Sequence, residues 1–225
     1  MSSARSYRQF CGIAKALDVV GERWTLLILR DLLLGPRRFS DLEHGLPGIT
    51  PNLLTERLKR LTEEGVITRV SQPPPAGGFA YELTEDGLGL EPALLALGRW
   101  GWRSMQKKPK REDVLNLGWA LIALKRRFVG VAATLTVELR TPERVYQYRL
   151  TADYPDVREG RPWLAELNVS GRMEAFRALF FGLESAEALL DRSALQLSGL
   201  VERWPDFLRA FGIAEQLDAT AAAIG

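Results

Sequence analysis

The chain has 225 residues, 46% apolar and 26% charged, which is the composition of a folded globular protein and excludes a disordered or collagen-like one. One cysteine, Cys11, rules out an internal disulfide and a cysteine-rich zinc site; one histidine, His44, removes most histidine-based catalytic and metal schemes. The net charge of +2 is unevenly divided, with 16 basic and 12 acidic side chains in residues 1–110 against 14 and 16 in the rest, a weak pointer to a polyanionic partner of the front half. Charges at Arg30, Asp31, Lys125, Arg126, Arg127 and Glu184 interrupt every candidate membrane span, and Met1–Arg5 lacks the apolar core of a signal peptide, so a cytoplasmic location without membrane contact is expected.

Apolar residues recur at three- and four-residue intervals in Cys11–Val20 and again in Trp24–Leu34, which predicts two amphipathic helices separated by Gly21. Gly35-Pro36 ends the second, because proline cannot continue the hydrogen-bond ladder. Ser40 and Glu43 have capping-box spacing and predict a short helix from Ser40 to before Gly45. After the turn Leu46-Pro47-Gly48, Thr50-Pro51 is a helix start, and Pro51–Glu64 places Leu54, Leu58 and Leu61 on one stripe, with Gly65 as its terminator. Val66–Val70 and Phe79–Leu83 read as strands joined by a Pro- and Gly-rich loop. Thr84 caps a last helix carrying Leu88, Leu94, Leu95, Leu97 and Trp100 to about Met105. Helix, helix, short helix, turn, helix, hairpin, helix is the order of a winged helix-turn-helix.

Gln106–Glu112, with Lys107, Lys108, Pro109, Lys110 and Arg111, is a natural boundary, giving domains 1–106 and 107–225. An apolar segment, Val114–Leu124, is followed by period-two alternation in Val131–Leu139, Arg144–Thr151 and Trp163–Val169, which predicts strands with one buried face. Val169-Ser170-Gly171 and Leu197-Ser198-Gly199 echo each other 28 residues apart, each ahead of an aromatic helix, so the second domain reads as α+β.

Cys11-Gly12-Ile13, Gly21-Glu22-Arg23-Trp24, Arg38-Phe39-Ser40-Asp41-Leu42, Gly48-Ile49-Thr50, Leu54-Thr55-Glu56-Arg57-Leu58, Tyr81-Glu82-Leu83-Thr84 and Leu97-Gly98-Arg99-Trp100-Gly101 together resemble the HxlR family of bacterial transcriptional regulators, relatives of the MarR group. The resemblance runs over about residues 8–103. It implies a homodimeric winged-helix regulator whose terminal helices pair across a two-fold axis, and it aligns Cys11 with a cysteine that some members use to sense oxidants. The usual following proline is Gly12 here. The second half resembles a sterol-carrier-type, SCP2-like domain, through its alternating strands, Ala165–Gly171, the aromatic helix Met173–Phe181, Ser185–Leu190 and Leu195–Gly199. That implies an apolar cavity under the sheet.

In the winged-helix frame, Thr50, Asn52, Thr55 and Glu56 open the helix that meets base edges, where asparagine suits adenine and glutamate accepts from cytosine. Arg57 and Lys59 are expected on phosphates, with Arg37, Arg38 and Ser40 on the backbone ahead of the short helix. The wing tip Pro73–Gly78 has no Lys or Arg, so wing contacts are expected from Arg69 and Gln72. Leu94, Leu97 and Trp100 are the dimer candidates, and Cys11 reads either as a small packed residue or as a sensor. Tyr146, Tyr148, Trp163, Phe176, Leu179 and Phe180 read either as plain core or as the lining of a site for a small apolar ligand. With no paired catalytic constellation and no Gly-rich phosphate loop, neither an enzyme nor a cofactor is expected. The expected function is a sequence-specific, homodimeric regulator of double-stranded DNA, tuned by an apolar ligand. The alternative is a lipid carrier or interaction module with the front domain as dimer platform only.

Overall fold

In the computed structural model, residues 6–72, 77–102, 110 and 112–213 are described. The expected linker at 106–112 therefore lies almost wholly outside the described residues, as do residues 1–5 and most of the wing tip. The chain divides into two units, Met1–Leu97 and Gly98–Gly225. Among the described residues no helix is long and apolar enough to cross a membrane.

The first unit runs α1 (Gly12–Val20), α2 (Thr25–Leu32), α3 (Phe39–Gly45), α4 (Pro51–Glu63), β1 (Ile67–Ser71), β2 (Phe79–Leu83), α5 (Glu85–Leu88) and α6 (Glu91–Trp102), the last continuing into the second unit. The expected order of a winged helix-turn-helix is present. Its core joins Val20, Ile28, Leu29 and Leu32 to Leu42, Leu46, Ile49, Leu54, Leu58 and Leu61, so α1 to α4 share one apolar interior. Trp24 precedes α2 with φ +78, a left-handed backbone that costs a bulky residue about 1–2 kcal/mol. Its ring packs against this core, which offsets the strain.

Two helix boundaries differ from the sequence reading. The carboxylate of Asp41 accepts the Arg38 backbone N–H at 3.0 Å, so α3 starts at Phe39 and the Ser40–Glu43 capping pair is not formed. The single helix expected from Thr84 breaks into α5 and α6, because Pro92 has no N–H with which to continue the ladder past Leu88. By contrast α4 ends as expected. Gly65 adopts φ +72, and the N–H groups of Gly65 and Val66 return to the carbonyls of Thr62 and Leu61.

The second unit contains α7 (Leu117–Leu124), β3 (Leu135–Arg140), β4 (Val145–Leu150), β5 (Pro155–Glu159), β6 (Leu167–Gly171), α8 (Met173–Phe180), α9 (Ala186–Asp191), β7 (Leu195–Gly199) and α10 (Trp204–Ala210). The five strands form one sheet in the order β5-β4-β3-β6-β7, antiparallel except for the β3–β6 pair. It is an α+β unit, as the alternation implied. The strand expected to begin at Val131 begins at Leu135, and the one expected from Trp163 begins at Leu167. β5 escaped notice because it opens with a proline, which only an edge strand tolerates.

The expectation of a single buried face also needs correction. Leu135, Val137, Leu139, Tyr146 and Tyr148 fill one face, but Thr136, Glu138 and Gln147 on the other are buried too. Residues 161–166 fold over that second face. Arg161 and Gln147 donate to the Glu138 carboxylate, the Trp163 backbone N–H donates to Gln147, and Glu166 accepts the Thr136 N–H. The Ser-Gly echo lies on adjacent strands, where Leu167 pairs with Gly199 and Gly171 with Leu195. A Cβ added at either glycine would strike its neighbours: at Gly171 it would lie 2.6 Å from the Leu195 side chain and 2.7 Å from the Ala194 carbonyl oxygen, and at Gly199 2.2 Å from the Glu166 carbonyl oxygen.

Candidate nucleic-acid interface

The sequence orients α4 by dividing its surface. Leu54, Leu58 and Leu61 are at most 1% exposed and anchor the helix to the core. Asn52, Thr55, Glu56 and Lys59 are exposed, and the three- and four-residue steps between 52, 55 and 59 keep them on one outward stripe. The N-terminal end is fixed twice. Thr50 Oγ1 accepts the Leu53 N–H at 3.3 Å, and Pro51 occupies the first turn. The Thr55 hydroxyl donates to the Pro51 carbonyl at 2.8 Å, which leaves its oxygen lone pairs facing outward as acceptors.

Arg57 departs from its expected place on a phosphate. It is 8% exposed, donates to Glu22 at 3.0 Å, to Glu56 at 3.0 Å and to the Arg23 carbonyl at 3.3 Å. It ties α4 to the segment between α1 and α2. The signal was available, since positions 54, 57, 58 and 61 make the complete inner face of a helix and 57 lies inside that arc. Lys59 is its opposite: 74% of its side chain is exposed, against Glu63 at 3.8 Å.

Arg37, Arg38 and Arg69 also make contacts within the unit. Backbone groups of Arg37 and Tyr81 exchange two hydrogen bonds, of 2.9 and 2.7 Å, adding a short third rung beside β2. The Arg37 side chain donates to the Asp31 carbonyl, and Arg38 reaches across to the Gly77 carbonyl at 2.9 Å. Arg38 thus links the start of α3 to the wing tip at Gly77, a role that its sequence position did not reveal. Arg69 lies on the rings of Phe79 at 4.6 Å and Tyr81 at 5.9 Å. The Gln72 N–H donates to Gly78 and closes the described end of the hairpin, while Ser40 is exposed in the first turn of α3.

Cys11 is exposed and occupies the N-cap of α1. The backbone N–H groups of Ala14 and Ile13 in the first turn of α1 favour the thiolate and lower its pKa. Beside it, Phe10, Ile13 and Leu17 form an apolar ridge that is exposed by 108%, 73% and 42%. Of the dimer candidates, Leu94 packs against its own unit's core, whereas Leu97 and Trp100 are 51% and 73% exposed.

Of the residues that read either as core or as the lining of a ligand site, all but Trp163 are buried. Tyr146, Tyr148, Phe176 and Leu179 are at most 1% exposed, and Phe180 6%. Tyr148 meets the rings of Phe207 and Phe211 at 6.1 and 5.1 Å, its hydroxyl donates to the Leu121 carbonyl, and the Tyr146 hydroxyl donates to Asn116. These contacts fill the space that an apolar ligand needs. Trp163 sits on the opposite face of the sheet, over Gln147.

Residues 19–109 match the HxlR-like helix-turn-helix family. The HTH-type transcriptional regulator YvaP of Bacillus subtilis is 41% identical over 86 residues, which are 38% of this chain and 80% of that protein. The chain belongs to the HxlR-like family. Rv3095 of Mycobacterium tuberculosis, also named an HTH-type transcriptional regulator, is 44% identical over 89 residues, but the chain spans only 56% of its length. The reduced form of the transcriptional regulator YodB from B. subtilis is 31% identical, with a TM-score of 0.37 over 41% of this chain and 92% of that one. Residues 110–225, with the five-stranded sheet, lie outside the HxlR-like match.

Proposed function

We propose that this DNA-binding transcriptional regulator of the HxlR type reads its operator by placing α4 in the major groove of double-stranded DNA. The observation that carries the reading is the outward stripe of Asn52, Thr55 and Lys59 above the inward Leu54, Leu58 and Leu61. An asparagine at such a position makes a bidentate contact to adenine, while Lys59, Arg37, Arg38, Arg69 and Ser40 meet phosphates around it. Residues 1–106 form the DNA-binding and dimerisation domain. A single such module buries only about 600–1,000 Å² on DNA, so two copies read half-sites roughly one helical turn apart. The exposed Phe10, Ile13, Leu17, Leu97 and Trp100 supply apolar surface for that pairing. Cys11, at the edge of this surface, is the group through which oxidants act.

Gel shifts with DNA from upstream of the chain's own coding sequence test this. Asn52→Ala is expected to cost about 1–3 kcal/mol at one base pair. Failure to retain any such fragment at low ionic strength overturns the reading. Sedimentation of the intact protein at micromolar concentration tests the homodimer, and a monomer contradicts it.

A second reading concerns residues 107–225 as a sterol-carrier-type, SCP2-like module that senses a small apolar molecule. Its support is the mixed sheet covered by Phe176, Phe207 and Phe211. Since those side chains already fill the interior, an apolar ligand would have to displace them, so association slow relative to diffusion is expected. An effector acts on operator affinity only by its differential binding to two states of the dimer.

A further inference from the structure

The aromatic interior of the C-terminal unit is closed, but the same unit has an open cleft of about 530 Å³ elsewhere, bordered by Arg140, Arg172, Arg192 and Glu174. We propose that this cleft binds a small organic anion through a carboxylate or phosphate group. The inference goes beyond the DNA reading and does not depend on it.

The topology places the cleft. β3 and β6 are parallel neighbours, pairing Val137 with Leu167 through to Arg140 with Ser170, and the cleft borders both of their carboxyl ends. In open α/β sheets ligands bind outside the carboxyl ends of parallel strands, and the one parallel pair of this otherwise antiparallel sheet offers such an edge. β6 passes within two residues into α8, whose N-cap residue, Arg172, is exposed and borders the cleft with its guanidinium, a group that can donate but cannot cap the helix. Ala194, immediately before β7, approaches Gly171 so closely that a Cβ added at Gly171 would lie 2.7 Å from its carbonyl oxygen, and this tight packing of backbone against backbone sets one wall.

The side chains set the chemistry. Three guanidiniums border the cleft against one carboxylate. Two of them are held by acids outside the lining: Arg140 by Glu138 at 2.5 Å and Arg192 by Glu184 at 3.0 Å. Each pair engages Nε and Nη2 and leaves Nη1 outside it, a donor already oriented before a ligand arrives. The volume lies within the roughly 300–1,000 Å³ of small-molecule sites, enough for a metabolite and more than a lone ion needs. The guanidiniums suit anionic oxygen, and the apolar remainder of the lining, Pro142, Ala175 and Ala194 among it, suits the carbon skeleton that carries it.

Calorimetric titration of the full-length protein with inorganic phosphate and with succinate, at constant ionic strength set by chloride, tests the site. Saturable binding of at least one anion is expected, and the preferred one shows whether the natural ligand carries phosphate or carboxylate. Arg172→Ala is expected to weaken it by at least about tenfold, the loss typical of a charge-assisted hydrogen bond. Glu174→Gln removes the opposing carboxylate and is expected to tighten it, an opposite sign that misfolding cannot imitate. Binding of neither anion at millimolar concentration, or identical binding by both variants and the parent, would overturn the proposal.

Discussion

Replacing Arg57 by alanine separates two roles that the sequence left together. Its guanidinium makes three hydrogen bonds, two of them to carboxylates. Losing the partner of a charged group costs about 1.5–3 kcal/mol where water cannot replace it. Glu22 and Glu56 keep 35% and 70% of their side-chain surface, so water recovers much of the loss at both, and Arg60 also stands beside Glu22. With the packing of the aliphatic stem added, we expect a net loss of about 2–3 kcal/mol, which lowers the melting temperature by roughly 5–10 °C. Operator affinity measured well below the transition should keep its salt dependence. Lys59→Ala is the converse, with stability changed by less than about 0.5 kcal/mol and the slope of log affinity against log salt flattened by about 0.9 per subunit. Denaturant titration with anisotropy at several salt concentrations reads both quantities. An Arg57→Ala protein of unchanged stability and flattened salt slope would refute the inward placement and restore the phosphate contact.

Three further outcomes follow from single residues. At Gly87 a Cβ would lie 2.1 Å from the Val66 carbonyl oxygen, a backbone atom that cannot step aside, so Gly87→Ala should cost about 1–3 kcal/mol by calorimetry, and a neutral result contradicts that packing. Burial alone would raise the Glu138 pKa, but hydrogen bonds from Arg161, Arg140 and Gln147 prevail and hold it below the ordinary carboxylate value. A lowered folded pKa gives stability that is present above the unfolded value of about 4.3 and is lost as pH falls through the folded one, so the stability gap between the parent and Glu138→Gln should narrow on acidification; a gap independent of pH contradicts this. The Cys11 thiol, lowered by the N–H groups of Ala14 and Ile13, should alkylate with a pH midpoint below about 8.5, and a midpoint at that value would remove the sensing role.

How far the residues disclose the fold depends on the range of the interactions involved. Thr50-Pro51 and Gly65 bracket α4 through bonds to neighbours within five residues, and both ends lie within one residue of where the sequence puts them. The leucine stripe discloses the inner face for the same reason. The Arg38 contact with Gly77 spans 39 residues and that of Arg57 with Glu22 spans 35, and no local pattern carries either. In the second unit, alternation marks β3 and β4, but it cannot tell that the polar face would be covered by residues 161–166. The aromatic residues illustrate the same limit. Core and cavity lining have identical composition, and only the three-dimensional packing of Tyr148 on Phe207 and Phe211 decides between them.

Photo-crosslinking tests the placement of α4 most directly. A benzophenone side chain is introduced at Thr55 on the outward stripe and, as a control, at the exposed Glu85 on α5, and each protein is irradiated with the operator duplex. We expect a crosslink to bases of each half-site from position 55 and none from position 85. Crosslinking from 85 with none from 55, under conditions where both proteins bind, would show that another surface carries the DNA.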